Sequence, residues 1–310
     1  MHPAFSVVVF TTLAGVAQGT LVALSLALLM GDRLPSLFIT GTLTITLGML
    51  LVALGVSFLH LGRPARAWRA VAMWRTSWLS REVIVLPAFI AVVALWLVLH
   101  ARDLAPGVRG AMPLAVIVLA LLLWWCTAMI YACLKFIQEW ATPLTFFNYL
   151  LIGMASGMSL YAALALLAGL GPQAYGAAGW AVILTVVALA VRVASLVRNA
   201  RLKLKSTPQS ATGLRDPVVV QRSMGMSAGA FNTREFFHGR TLAFLKRIKL
   251  IFVLLGFVLP ASLIVVSMLS EQGLWLLLAV PVQYTGLLAE RWFFFAQARH
   301  PQNLYYQTVS

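Results

Sequence analysis

The sequence predicts an all-α fold, a polytopic membrane protein with an eight-transmembrane-helix bundle and both termini in the cytoplasm. Hydrophobic residues make up 61% of the 310 side chains and charged residues only 10%, and the mean hydropathy is +0.92. An ordinary soluble domain is about a quarter charged. We therefore expect one membrane domain over residues 1–310. Two further observations, the apolar runs and the placement of the basic residues, give the helix number and the orientation.

Eight apolar runs are long enough to cross the hydrocarbon core of a bilayer, which takes about 20 helical residues. Short polar breaks separate them, such as GDRLP at 31–35 and HARDLAPGVRG at 100–110. An even number of spans places both ends of the protein on one side. The runs cover residues 5–30, 36–60, 83–100, 113–134, 144–169, 177–197, 248–270 and 273–296.

The basic residues predict which side is the cytoplasm. Of the 23 lysines and arginines, 20 fall on the side of the termini, and only Arg33, Arg102 and Arg109 fall on the other side. Cytoplasmic loops carry such an excess, so the termini, the loop 61–82 and the long loop 198–247 should be cytoplasmic. The net charge of +15 does not indicate nucleic-acid binding, because these residues lie between hydrophobic spans and not as a stripe on one folded surface.

The first span carries polar and small residues that need an explanation within a bilayer. Thr11, Thr12 and Gln18 form a polar strip, which either bonds to neighbouring helices or lines a pocket, since a polar group in lipid must be satisfied internally. Glycines four residues apart permit close approach between helices. They are Gly15 with Gly19 in the first span and Gly153 with Gly157 in the fifth.

The loop between the second and third spans differs from the rest of the protein. HLGRPARAWRAVAMWRTSWLSRE, from His60 to Glu82, holds five arginines and three tryptophans in 23 residues. Both residue types favour the boundary between hydrocarbon and water, which predicts a segment lying on the membrane surface. His60 and Glu82, which can exchange protons near neutral pH, stand at its two ends.

The long loop 198–247 is the only predicted extramembrane region large enough to have structure of its own. It opens with RNARLKLKS, a basic segment suited to contact with anionic membrane lipid. TGLRDPVVVQRSMGMSAGAFNTREFFHGR follows, with glycines, arginines and aromatic residues that lipid attraction does not require. A structureless loop of this length is uncommon unless it is functional. We expect it to dock a partner protein, with a solvated connector as the alternative.

Several kinds of chemistry find no residues in this sequence. No two of the five histidines are expected at one depth in the bundle, so haem held between two imidazoles is not expected. The sequence also offers no cysteine cluster, Gly-rich phosphate loop or metal site. A secondary transporter stays open as an alternative, although the acidic residues expected near the membrane lie at helix ends and not at its midplane. These acids are Asp32, Asp103, Glu139, Glu271 and Glu290.

Two motifs carry a family resemblance. HPAFSVVVFTTLAGVAQG at 2–19 and FLHLGRPARAWRAVAMWRTSWLSREV at 58–83 resemble the membrane-anchor subunit of the dimethyl sulfoxide reductase family. In the long loop, QRSMGMSAGAFNTREFFHG resembles the branch of that family found with cytoplasmic sulfite dehydrogenases, also called sulfite:quinone oxidoreductases.

The resemblance implies a haem-free anchor in the bacterial inner membrane that does not itself act on the substrate. Such an anchor holds a molybdenum catalytic subunit and an iron–sulfur subunit with four clusters, here on the cytoplasmic face, and binds ubiquinone or menaquinone. The molybdenum cofactor and the clusters belong to those partners. Sulfite oxidation with quinone reduction is expected, and a dimethyl sulfoxide-type reductase that oxidises quinol is the alternative. His60 in HLGRP and Glu82 in LSRE match the pair associated with quinone binding.

The residue chemistry favours the same site. Reduction of a quinone takes up two electrons and two protons, so its site needs a hydrogen-bonding group and a proton donor. An imidazole and a carboxylate suit these tasks. Alternatively, His60 caps the second helix, Glu82 complements the dipole of the third and the arginines only extend to water. The candidate quinone-binding residues are His60, Arg63, Arg66, Trp68, Trp78, Ser80 and Glu82.

Overall fold

The computed structural model describes residues 1–203, 205–223, 225, 231–304 and 306, without the side chain of His60. Within these residues, eight helices are long and apolar enough to cross a membrane, which confirms the predicted all-α fold with eight spans. In sequence order they are α1 Phe5–Leu29, α2 Ser36–Ser57, α3 Trp78–Ala101, α4 Pro106–Ala132, α5 Pro143–Leu167, α6 Gly171–Ala200, α7 Leu242–Ser270 and α8 Gly273–Ala296.

Four helices, α3, α4, α6 and α7, begin at least five residues earlier than the apolar runs indicate. The first turn of α3 starts at Trp78 because the side chain of Ser77 caps it, accepting a hydrogen bond from the Ser80 backbone N–H at 3.3 Å. The last residues of the predicted loop 61–82 are therefore helical, and Glu82 lies in the second turn of α3. Helices α4 and α6 start at 106 and 171 and not at 113 and 177, since each has a proline in its first turn, where the missing N–H costs no helical hydrogen bond.

Helix α1 is the centre of the bundle. In its most apolar stretch 78% of the residues are buried, against 56% or less in the other spans, and it packs on α2, α4, α5 and α8. It crosses α5 at the predicted glycines, where a Cβ atom on Gly19 would lie 2.0 Å from the Gly153 carbonyl oxygen. A Cβ atom on Gly157 would lie 2.2 Å from the Gly19 backbone. The two backbones therefore touch only because these side chains are absent.

A methyl group at this crossing should destabilise the bundle. Gly157→Ala forces two backbones apart, and we expect a loss of about 1–3 kcal/mol, the usual range for overpacking. The measurement is the thermal unfolding of the purified protein in detergent. Gly48→Ala is the matched control, since a Cβ atom there meets nothing within 4 Å, and it should leave stability unchanged or slightly raised. Equal stability of the two variants would contradict the close crossing.

Candidate functional site

Glu82 lies inside the bundle. Its side chain is 6% exposed and faces α4, where the Thr127 hydroxyl donates a hydrogen bond to Glu82 Oε1. Ser80, one of the predicted site residues, is also buried. A carboxyl group at this depth is costly unless it has partners or a function. The structure therefore gives Glu82 a fixed position between α3 and α4, and Thr127 is a neighbour that sequence analysis did not identify.

His60 ends a short 3-10 turn, Phe58–His60, that continues α2. This turn packs beside α1. The predicted position at the end of the second span is thus confirmed for the backbone. The side chain lies outside the described residues, so its part in the site stays a prediction.

The surface segment after this turn forms a 3-10 helix, Pro64–Met73. Arg63 and Arg66 are exposed, and Trp68 keeps 70% of its surface accessible. These three predicted site residues are thus not packed in the bundle beside the buried Glu82. Trp78 is half-buried at the start of α3.

Arg81 organises the turn that leads into α3. Its guanidinium lies 4.0 Å from the centroid of the Trp78 ring, a cation–π contact. It also donates hydrogen bonds to the backbone carbonyls of Trp74 and Arg75, both at 2.9 Å. The residue next to Glu82 therefore fixes the path of the backbone, a role that the site prediction missed.

A buried ion cluster lies between α6 and α8. The carboxylate of Glu290 is fully buried, with Arg192 Nε 2.8 Å from Oε1 and Arg291 Nε 3.5 Å from Oε2. The Arg291 guanidinium also lies 3.8 Å from the centroid of the Tyr149 ring in α5. Glu290 lies six residues before the end of α8, and its carboxylate is inside the bundle.

Two arginines of this cluster do not belong in the count of loop charges. Arg192 and Arg291 are buried, so neither is a loop charge that reports orientation. The sequence did contain a signal, since both arginines fall inside the apolar runs 177–197 and 273–296. A charged residue inside such a run is usually directed toward the interior of the bundle.

Two small cavities lie between Thr127, the hydrogen-bond partner of Glu82, and Arg291 of this ion cluster. Helices α1, α4 and α5 line both, α8 closes the first through Arg291, and Thr127 lines the second. The polar strip of α1 lies here, which favours the pocket-lining alternative: Thr11 and Thr12 line the first cavity, and Thr11 and Gln18 the second. The structure thus places a row of polar groups between Thr127 and Arg291.

The connection between α6 and α7 runs over 201–241 and is shorter than the predicted loop 198–247. Part of it is held against the two ends of the protein. The Phe236 ring stacks on His300 with centroids 3.9 Å apart, and the His2 backbone N–H donates to the Glu235 carbonyl at 2.8 Å. Residues 224 and 226–230, within the motif that resembles the sulfite branch, lie outside the described residues. Docking of a partner on this loop stays a prediction.

Attachment of this loop should weaken in acid. Burial lowers the pKa of His300 below its usual value of 6.5, so the imidazole takes up a proton more readily once the loop is released. Attachment is therefore strongest above pH 6.5 and declines as the pH falls through the lowered pKa. Limited proteolysis of residues 201–241 should be faster at about pH 5.5 than at about pH 7.5. In His300→Phe, which keeps the stacked ring, this difference should shrink; an unchanged difference would exclude His300 as its source.

Neutralising Glu290 should destabilise the bundle strongly. Glu290→Gln leaves Arg192 and Arg291 buried without their carboxylate, and breaking a buried ion pair from one side costs about 3–5 kcal/mol. Thermal unfolding in detergent measures the change. Glu271→Gln, at the exposed turn between α7 and α8, is the control and should unfold like the unaltered protein. A stable Glu290→Gln protein would mean that the cluster does not hold α6 to α8.

Comparison with known proteins shows to which family the chain belongs. A family model described as DMSO reductase anchor subunit (DmsC) matches residues 1–294. The chain is 48% identical to a subunit of the sulfite dehydrogenase of Allochromatium vinosum, over the full length of both proteins. It is 30% identical to a subunit of the anaerobic dimethyl sulfoxide reductase of Escherichia coli, over 66% of this sequence and 72% of that one. Eight spans and a family match over nearly the whole length agree, and the chain belongs to the family of DMSO reductase membrane-anchor subunits.

Proposed function

We propose that this protein is the quinone-binding anchor of a molybdenum oxidoreductase in the bacterial inner membrane, and that the complex oxidises sulfite and reduces quinone. The observation that carries the proposal is the buried Glu82 carboxyl group, held by Thr127 at the end of the bundle nearest to the two termini. Family membership and the 48% identity to a sulfite dehydrogenase subunit support the choice of complex.

The residues around Glu82 suit the proton chemistry of a quinone. The quinone accepts two electrons from the iron–sulfur subunit and two protons when it is reduced. A carboxyl group within the bundle donates such a proton without competition from bulk water, and Thr127 fixes its orientation. His60, at the end of α2, supplies the hydrogen bond to a quinone carbonyl in this proposal, and the half-buried Trp78 flanks the ring.

The exposed surface segment gives the partner a place to bind. Arg66 and Trp68 project from the 3-10 helix Pro64–Met73, and Arg63 directly precedes it. All three lie on the side of the bundle where Glu82 lies. In the proposed complex the iron–sulfur subunit, with its four clusters, covers this segment, and these residues close the quinone site from above. Electron transfer requires the nearest cluster and the quinone to be on the same side of the membrane.

The charge distribution favours a cytoplasmic complex. Without the buried Arg192 and Arg291, 18 basic residues remain on the side of the termini against three on the other. This excess is typical of the cytoplasmic side. The likeness to a dimethyl sulfoxide reductase subunit supports one alternative, a reductase that draws electrons from quinol. The catalytic partner sets that direction, while the proposed site in this protein is the same.

Glu82→Gln tests the proposal in the intact purified complex. The substitution keeps the shape of the side chain and removes the proton that titrates. We expect substrate-driven quinone reduction to fall by roughly 100-fold or more, in the range of a lost general acid. Electron transfer to a soluble redox dye, which leaves the complex before the quinone step, should be unchanged.

The exposed Glu271→Gln serves as the control and should keep both activities. Quinone reduction at the normal rate in an assembled Glu82→Gln complex would contradict the proposal, and Glu82 would then be only a charge near a helix end.

A further inference from the structure

The two cavities between Thr127 and Arg291 are each about the size of one water molecule. Each has a volume of ≈ 10 Å³ open to the centre of a water molecule, about what one water needs. They share four lining residues, so they adjoin one another. These are Thr11, Gly15, Trp124 and Tyr149.

Four polar atoms on the cavity walls have no hydrogen-bond partner among the described residues. They are Gln18 Oε1, Trp124 Nε1, the Tyr149 hydroxyl oxygen and Arg291 Nη1, each on a side chain that is at least nine-tenths buried. A buried donor or acceptor that is left without a partner destabilises the folded protein. One acceptor, two donors and a hydroxyl group beside empty space match what bound water supplies, since water both donates and accepts.

The second cavity reaches the proposed site through Thr127. Its hydroxyl group donates to Glu82 Oε1, and the same residue lines the cavity wall. A hydroxyl group that donates its hydrogen still accepts through its oxygen. Only the Thr127 hydroxyl group would therefore separate a water in this cavity from the Glu82 carboxyl group. A water in the first cavity would lie beside Arg291.

We propose that the two cavities hold ordered water, and that this water and the Thr127 hydroxyl form the internal route by which a proton returns to Glu82. The route rests on the proposed quinone chemistry, in which Glu82 gives its proton to the quinone. Thr127 then passes its hydroxyl proton to Glu82 and takes one from the adjoining water. The aqueous side lies roughly 10 Å from this water, the length of the first two turns of α1. Protons that leave the water are replaced from that side.

Hydration of the cavities can be measured without any activity. Hydroxyl radicals generated from bound water by X-ray pulses label the side chains that touch it. In the complex in lipid nanodiscs we expect labelling of Trp124 and Tyr149, although both are buried. Trp96 in α3, equally buried and away from both cavities, is the control and should stay unlabelled. Labelling of Trp124 and Tyr149 no greater than that of Trp96 would show dry cavities and overturn the proposal.

Substitutions along the route test its role in proton return. Thr127→Val keeps the volume and removes the hydroxyl group, and Gln18→Leu removes the unpaired acceptor. Each should lower quinone reduction by roughly tenfold, with a larger slowing in D₂O and unchanged dye activity. Thr127→Ser, which keeps a hydroxyl group, should reduce quinone at the normal rate. Tyr161→Phe, which removes a buried hydroxyl group outside the cavities, is the control and should change nothing.

The outcomes separate this inference from the proposed function. Normal quinone reduction in Thr127→Val and Gln18→Leu, with Glu82→Gln inactive, would reject the water route and keep Glu82 as the proton donor. Normal quinone reduction in Glu82→Gln would reject the proposed function and with it the proton route.

Discussion

The absence of water from the hydrocarbon core is the constraint on which this structure depends. Every polar group within a span must find a partner inside the protein or at a cavity. The bundle meets this demand by collecting its polar groups near one end. Glu82, Thr127, Tyr149 and Glu290 each lie four to six residues from the helix end on the side of the two termini, or roughly 6–9 Å. Only an antiparallel arrangement of successive spans brings these four residues to one depth.

The close crossing of α1 and α5 makes this arrangement possible. Because Gly19 and Gly157 let the two backbones touch, α1 enters the centre of the bundle and carries its threonines and Gln18 inside. A larger residue at the crossing would separate the helices and open the polar region to lipid. The glycines therefore stabilise the packing and, through it, determine where the cavities lie. In this bundle a packing motif and a candidate functional region depend on the same few residues.

The ion cluster imposes a second condition. Arg192 and Arg291 face one carboxylate, Glu290, which leaves one positive charge in excess within this cluster. The face of the Tyr149 ring, 3.8 Å from the Arg291 guanidinium, compensates part of that charge. This ring also lines both cavities. The cluster, the cavities and Glu82 thus form one continuous polar region, and the proposed quinone chemistry at Glu82 would take place at its edge and not at an isolated carboxyl group.

The sequence by itself determined the all-α class, the eight spans and the glycine pairs that permit two helices to approach closely. All of these follow from local composition and spacing, because a run of apolar residues in a bilayer has few alternatives to a helix. It did not determine which helices face each other. Thr127 meets Glu82 across 45 residues of sequence, and Glu290 meets Arg192 across the long loop and α7, so neither pairing has a local signal. The exposure of Arg63, Arg66 and Trp68 and the position of the cavities also depended on packing. Tertiary structure decided these features, since burial is a property of two surfaces in contact and one stretch of sequence describes only one of them.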